Sequence, residues 1–294
     1  MHNSQIRNWI KCYEESKGLT ELSLFMKCGI SIANFGVSSK PQDYAKLARM
    51  AEDSGWDGFF LWDHINFGRR KNIMDPWILL AAIGLNTEKI RIGTIITPLP
   101  RRRPQKVACE VVTIDNLSEG RMTLGVGLGG PKKEFTTFGE NYDVRILAQK
   151  LDEALEILQG IWTGETYSFM GEHYTIKEFK LRPTPVQKPR VPIWVAGTWP
   201  KKRPFRRAAR YEGVVPIGAR NPTEFAKMKQ YVEKHRIRKG KYDWVCSLTF
   251  PSATKRKELL PEFEAAGATW YIESWGLVPF ETQMKRMNRG PPSV

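Results

Sequence analysis

Lys89-Ile-Arg-Ile-Gly-Thr-Ile-Ile-Thr-Pro-Leu-Pro100 and Arg121-Met-Thr-Leu-Gly-Val-Gly-Leu-Gly129 decide the fold of this chain. Each is a short apolar run that turns to glycine, threonine or proline at its C-terminal end. Between them, Arg103 to Leu117 carries Val107, Val111, Ile114 and Leu117 at helical spacing, the length one crossover between parallel strands needs. Two successive strand–helix units that gather small and polar residues at the same end describe a parallel barrel with a ligand mouth there.

The alternation continues in both directions. Strand-like segments fall at Gly29–Asn34, Gly58–Trp62, Ile90–Ile96, Met122–Val126, Ile193–Ala196, Gly213–Ile217, Trp244–Ser247 and Thr269–Glu273, eight in all. Pro41 to Ser54 has a proline in its first turn, apolar Tyr44, Leu47, Ala48 and Ala51 on one face, and Gly55 as its stop. Asp75-Pro76 reads as a cap followed by a first-turn proline. Asp143 to Trp162 carries Ile146, Leu147, Leu151, Leu155, Leu158 and Ile161 on one stripe. Further helices are expected at Lys201–Tyr211, Pro222–His235, Thr254–Ala266 and Pro279–Arg289. The predicted fold is α/β, a single-domain (β/α)8 TIM barrel, since a doubly wound sheet would have fewer strands and a switch point.

Two segments stand outside the alternation. Thr166 to Phe179 reads as a hairpin around Met170-Gly171, placed before a strand and so at the N-terminal face. Leu128 to Tyr142 follows a strand and should overhang the mouth. Residues 1–26 precede the first strand and read as an N-terminal extension to a domain over 27–294.

The chain has 294 residues, a net charge of +15 and a pI near 9.7, a balance that favours anionic partners. The runs Arg101-Arg-Arg, Lys201-Lys-Arg and Arg236-Ile-Arg-Lys-Gly-Lys read as solvated faces. No apolar stretch is long enough for a membrane span and no secretory signal opens the chain. Cys12, Cys28, Cys109 and Cys246 are far apart, which fits buried thiols in a reducing cytoplasm and gives no metal site. The helix starting at Pro76-Trp-Ile-Leu-Leu-Ala-Ala-Ile-Gly-Leu is apolar nearly all round, consistent with either deep packing or a homodimer contact.

The expected mouth residues are Asn34, Asp63-His64, Thr94 to Thr97, Gly127 to Gly129, Gly197-Thr198, Ile217-Gly218, Ser247 and Glu273-Ser274. They offer hydrogen bonds and close backbone approach but few acids and bases, which points to a bound cofactor as the reactive group. Asp63 and His64 are the catalytic candidates, the carboxylate setting the state of its neighbour's ring. Gly197-Thr198, opening a basic helix, makes an anion site. The glycines of Gly125-Val-Gly-Leu-Gly-Gly have the wrong spacing for a dinucleotide fingerprint and suit a flat ring lying close to the backbone.

Gly58-Phe-Phe-Leu-Trp-Asp-His, Ile92-Gly-Thr-Ile-Ile-Thr-Pro, Leu117-Ser-Glu-Gly-Arg-Met-Thr-Leu-Gly-Val-Gly-Leu-Gly, Leu151-Asp-Glu-Ala-Leu-Glu-Ile-Leu and Pro192-Ile-Trp-Val-Ala-Gly together resemble the bacterial luciferase-like monooxygenase family of flavin- and F420-dependent oxidoreductases. The resemblance covers nearly the whole chain from about Lys27. It implies a barrel, usually dimeric, with FMN or F420 at its mouth. By position, Asp63-His64 matches the pair near the redox ring. Thr94 to Thr97 matches the strand that packs on it, where members often carry a non-prolyl cis peptide. Gly197-Thr198 matches the phosphate loop. The cofactor-binding candidates are thus Asn34, Thr94, Ile95, Ile96, Thr97, Gly127, Gly129, Gly197, Thr198 and Trp199. In the family's sugar-phosphate dehydrogenases an acid directly follows the glycine strand; here that place is Gly130-Pro131, and the nearest carboxylate is Glu134.

The implied function, placed first, is a monooxygenase using reduced FMN and dioxygen on a small organic substrate. The alternative is F420-dependent hydride transfer without oxygen. A basic nucleic-acid-binding protein or a non-catalytic metabolite-binding barrel is more distant, for want of a nucleic-acid motif. No nucleic-acid or membrane partner is expected.

Overall fold

The computed structural model describes residues 26–38, 40–68, 72–238 and 240–292; residues 1–25 of the expected extension lie outside them. Eight strands form the barrel: β1 (Lys27–Ile32), β2 (Gly58–Leu61), β3 (Arg91–Pro98), β4 (Met122–Gly127), β7 (Ile193–Thr198), β8 (Gly213–Ile217), β9 (Asp243–Ser247) and β10 (Trp270–Gly276). They close in the order β1-β10-β9-β8-β7-β4-β3-β2, and every pairing in the ring is parallel. The remaining strands, β5 (Tyr167–Met170) and β6 (Thr175–Phe179), make the expected antiparallel hairpin.

The outer layer follows the sequence pattern closely. Helix α1 (Pro41–Asp53) buries Tyr44, Leu47, Ala48 and Ala51. Asp75 caps α2 (Pro76–Asn86) by accepting from the backbone N–H groups of Trp77 and Ile78. Helix α3 (Pro104–Leu117) supplies the crossover between β3 and β4. A short helix, α4 (Lys133–Thr136), lies inside the long loop after β4. Asp143 caps α5 (Val144–Trp162), whose Leu147, Leu151, Leu155, Leu158 and Ile161 are buried. Next come α6 (Lys202–Ala208), α7 (Pro222–His235), α8 (Ala253–Ala265) and α9 (Phe280–Met287). Helix α6 is shorter than the predicted Lys201–Tyr211. Its last residues leave the helix in tighter turns, Arg210 to Arg207 and Tyr211 to Ala208, that carry the chain into β8.

The barrel interior is a separate apolar cluster of Phe60, Ile95, Trp194, Val215, Val245, Trp270 and Ile272. At its lower end Asp243 accepts from both indoles, at 2.9 Å from Trp194 Nε1 and 3.1 Å from Trp270 Nε1. Two large aromatic rings can therefore be buried without an orphaned N–H. The filled lower half makes the barrel a floor on which the mouth sits.

Candidate active site

Strand β2 runs out just before His64 and strand β7 ends at Thr198, so both residues lie at the C-terminal end of the ring. Side chains alternate along a strand. Trp194 and Ala196 face inward with the interior cluster, which sends Thr198 inward as well. By the same parity Ile217, Ser247 and Ser274 follow inward Val215, Val245 and Ile272. These upper residues regain exposure while those beneath them are sealed: Ile217 is 56% exposed and Val215 3%.

Alternation also separates Asp63 from His64. Asp63 is buried and turned to the loop after β3, where Oδ1 accepts from Arg101 Nη2 at 2.9 Å and Arg102 Nη2 at 2.8 Å. The expected role of Asp63 as the carboxylate at the histidine ring does not hold, because both its oxygens are taken by Arg101 and Arg102. That place belongs to Glu134. His64 Nδ1 is 3.0 Å from Glu134 Oε1, which also accepts from the backbone N–H groups of Ile65 and Asn66. Glu134 Oε2 accepts from Arg101 Nη1 at 2.6 Å. The glutamate side chain is 0% exposed and the Arg101 side chain 4%.

Burial by itself would raise the Glu134 carboxyl. Hydrogen bonds from His64 and Asn66, with the nearby charges of His64 and Arg101, outweigh that and hold it below the usual carboxylate range. An ionised Glu134 is acceptor-only, so His64 Nδ1 donates to it and Nε2 is the ring nitrogen that the carboxylate does not engage. The ring itself is walled by Phe35, Trp62 and Phe67, with centroids 5.6, 5.8 and 4.7 Å away. Arg101 and Arg102, read in the sequence as solvated, are thus the cations that tie the loops after β2, β3 and β4 together.

The other candidates divide into scaffold and surface. Asn34 spends its amide on backbone, donating to the carbonyls of His64 and Met74 and accepting from His64 N. Thr94 and Thr97 are buried and bonded to each other at 2.9 Å. The peptide bond between Ile95 and Ile96 is cis, and the β3–β4 register shifts between Thr94 and Thr97. Ile96 is half-buried and packs against the interior cluster. A Cβ on Gly125 would lie 2.2 Å from the Thr94 carbonyl oxygen, so the neighbouring strand itself requires that glycine. On Gly127 a Cβ would lie 3.0 Å from Ile96 Cγ2 and 3.6 Å from Ala196 Cβ. Without a side chain there, the Gly127 backbone lies bare beside those two apolar residues, which suits the close approach of a planar ring. Gly129 is in the left-handed region at φ 90° and packs under Phe135, which seats α4 and with it Glu134. Gly197 is buried with Thr198 exposed beside it, and Trp199 N donates to the Ile217 carbonyl.

Sequence reasoning passed over Glu134 and Arg101 as site residues. The only signals were a carboxylate in a loop expected over the mouth and an arginine run just past a strand. No spacing rule links them to His64.

A closed ring of eight parallel strands with a carboxylate-held histidine at its C-terminal end defines the chain as a TIM-barrel protein. The chain belongs to the family described as luciferase-like monooxygenase, whose model matches residues 26–288. It is 32% identical over 189 residues to an F420-dependent glucose-6-phosphate dehydrogenase of Microbacterium testaceum, covering 62% of this chain and 54% of that one. It is 35% identical over 160 residues to an F420-dependent hydroxymycolic acid dehydrogenase of Mycobacterium tuberculosis, covering 52% and 43%. The chain spans about half the length of the curated relatives it matches. The fold resembles that of the monooxygenase RslO1 from Streptomyces bottropensis, with a TM-score of 0.74 at 20% identity over 89% of this chain and 96% of that one.

Proposed function

We propose that the protein is an F420-dependent oxidoreductase that moves a hydride between the deazaflavin and a small organic alcohol or carbonyl compound. The observation that carries this reading is the His64–Glu134 pair at the same end of the barrel as Ile96, Gly127 and Ala196. The sequence placed reduced FMN and dioxygen first. The F420-dependent dehydrogenases among the relatives support the reverse order.

Ile96, Gly127 and Ala196 would hold the ring face, with Thr198 and Trp199 toward its anionic tail. When bound, the cofactor supplies a two-electron hydride acceptor or donor. His64 supplies the proton chemistry: Nε2 takes the hydroxyl proton of an alcohol, or returns it to a forming alkoxide. Glu134 holds the ring's orientation and tautomer, and Arg101 holds Glu134. Phe35, Trp62 and Phe67 keep water from the histidine's flank.

The test is a binding titration of the purified protein with F420 and with FMN, each oxidised and reduced, followed by oxygen consumption with the bound form. F420 is expected to bind and no oxygen to be consumed. Binding of FMN alone, with oxygen uptake in the presence of an organic substrate, would overturn the reading.

A homodimer is part of the same proposal. Helix α2 leaves Ile78 70% and Leu85 72% exposed, an uncovered apolar edge on the outer layer. Among the described residues no helix is long and apolar enough to cross a membrane, and Cys28, Cys109 and Cys246 are free thiols. These thiols support a reducing, cytoplasmic setting.

A further inference from the structure

We propose that the N-terminal end of the barrel, beneath the aromatic floor, binds a phosphate-sized oxyanion through Lys27, Arg91 and Lys241. The site lies at the opposite end of the ring from His64 and is independent of the cofactor. Strand parity sets two of these cations inward. A Cβ on Gly29 would meet Ile272 and Phe60 of the interior cluster, so Gly29 faces inward, and Lys27, two positions earlier on β1, does so too. Ile95 belongs to the same cluster, which puts Arg91, four positions earlier on β3, on the same side. Gly58, the residue that pairs with Arg91 on the intervening strand β2, has no side chain to stand between them.

Lys27 Nζ lies 5.4 Å from the centroid of the Trp270 ring, one of the two indoles of the floor. Arg91 Nη1 donates to the buried hydroxyl of Thr123, which fixes the guanidinium. Among the described residues Nε and Nη2 of Arg91 then have no partner, and these two form the side-on fork that suits an oxyanion. Lys241, two residues ahead of β9, is exposed, and its charge reaches the Lys27 ammonium.

The carboxylates that face this group are already engaged by neutral donors. Asp243 accepts from the two floor indoles, and Asp57 Oδ2 from the Cys28 N–H at 2.8 Å. Asp115, which faces Arg91, accepts from the backbone N–H groups of Val186 and Gln187 and from the Gln187 amide. Among the described residues Lys27, Arg91 and Lys241 make no ion pair. Burial, and then the charges of Lys241 and Arg91, lower the Lys27 ammonium from its ordinary value, and burial lowers Arg91, against the pull of those carboxylates. The cations are thus close together and short of negative charge. An oxyanion seated among them supplies that charge and takes charge-assisted hydrogen bonds from all three. Bound there, it ties β1, β3 and the loop into β9 together under the floor.

The experiment titrates the purified full chain with inorganic phosphate, by calorimetry and by thermal unfolding, with sodium chloride at matched ionic strength as the control. Phosphate is expected to bind and to raise Tm by about 5 °C once it stands about a hundredfold above its Kd. Lys27→Gln should weaken binding about tenfold and Lys241→Gln about three-fold. Both side chains are exposed, so neither variant puts folding at stake. Lys202→Gln, at the other end of the barrel, should leave the affinity unchanged. Methyl phosphate binding as tightly as phosphate extends the site to phosphomonoesters; binding of phosphate alone confines it to the free ion, and either result supports the inference. Equal stabilisation by chloride, or an affinity that neither Lys27→Gln nor Lys241→Gln lowers, would overturn it. So would the reverse pattern, in which Lys202→Gln lowers the affinity and Lys27→Gln does not, because that places the ion at the mouth.

Discussion

His64 and Glu134 are separated by 70 positions in the chain and by 3.0 Å between Nδ1 and Oε1. The histidine follows β2 and the glutamate sits on the short helix after β4, so the side-by-side order of β2, β3 and β4 is what makes them partners. Arg101, from the loop after β3, completes the bridge from the other side of the carboxylate.

If that pair performs the proton chemistry, His64→Ala lowers kcat by about 10²- to 10⁴-fold while leaving F420 affinity within a few-fold. Glu134→Gln keeps the shape but points an amide N–H toward Arg101. It should lower kcat by a smaller factor and move the pH–rate profile. Steady-state kinetics across pH, beside F420 titrations, checks both. A Glu134→Gln enzyme with an unchanged profile would reduce the glutamate to scaffold.

Acid should loosen this corner of the molecule. The folded Glu134 carboxyl titrates below its unfolded value, so its stabilisation is complete above that unfolded value, roughly pH 4.3, and is lost as pH falls through the lower folded one. Urea midpoints measured from pH 6 downward should therefore fall more steeply for the natural protein than for Glu134→Gln.

Asp243→Asn tests the barrel floor. The carboxylate serves two indole donors, whereas an amide can accept from only one and turns its own N–H groups to the other. The loss should be about 1–3 kcal/mol by urea unfolding followed through tryptophan fluorescence. Cofactor binding above the floor should change little.

Gly125→Ala probes the closeness of β3 and β4. The added methyl would stand 2.2 Å from the Thr94 carbonyl oxygen, a contact that backbone must move to relieve. Overpacking of that kind costs about 1–3 kcal/mol or more. A drop of several degrees in Tm is expected, with weakened cofactor binding because Ile96 rides on the same strand.

Leu85→Glu should separate a dimer without unfolding the barrel, because Leu85 is 72% exposed on α2. Sedimentation is expected to give a dimer for the natural chain and a monomer for the variant, at nearly the same Tm. A natural chain that sediments as a monomer would end that part of the proposal.

Much of the architecture was legible in the residues. Met122 to Gly127 and Arg91 to Pro98 are short apolar runs with small residues at one end, and Asp75 and Asp143 cap the helices they precede. Such features are local, and local chemistry is what sequence spacing records. The site was less legible. Asp63 and His64 look like one unit in the chain, but a strand sends neighbours to opposite sides, and Asp63 went to Arg101 and Arg102. The arginine run looked solvated for the same reason: nothing in its own neighbourhood reveals a buried carboxylate contributed from another loop.

The sequence by itself determined the parallel barrel, its mouth end and the glycine strand at that mouth, because hydrophobic period and turn chemistry act within a few residues. Only the tertiary structure decided that Glu134 holds His64 and that Arg101 joins both carboxylates. Those facts depend on which loops the closed ring brings side by side, a relation between residues far apart that no period along the chain encodes.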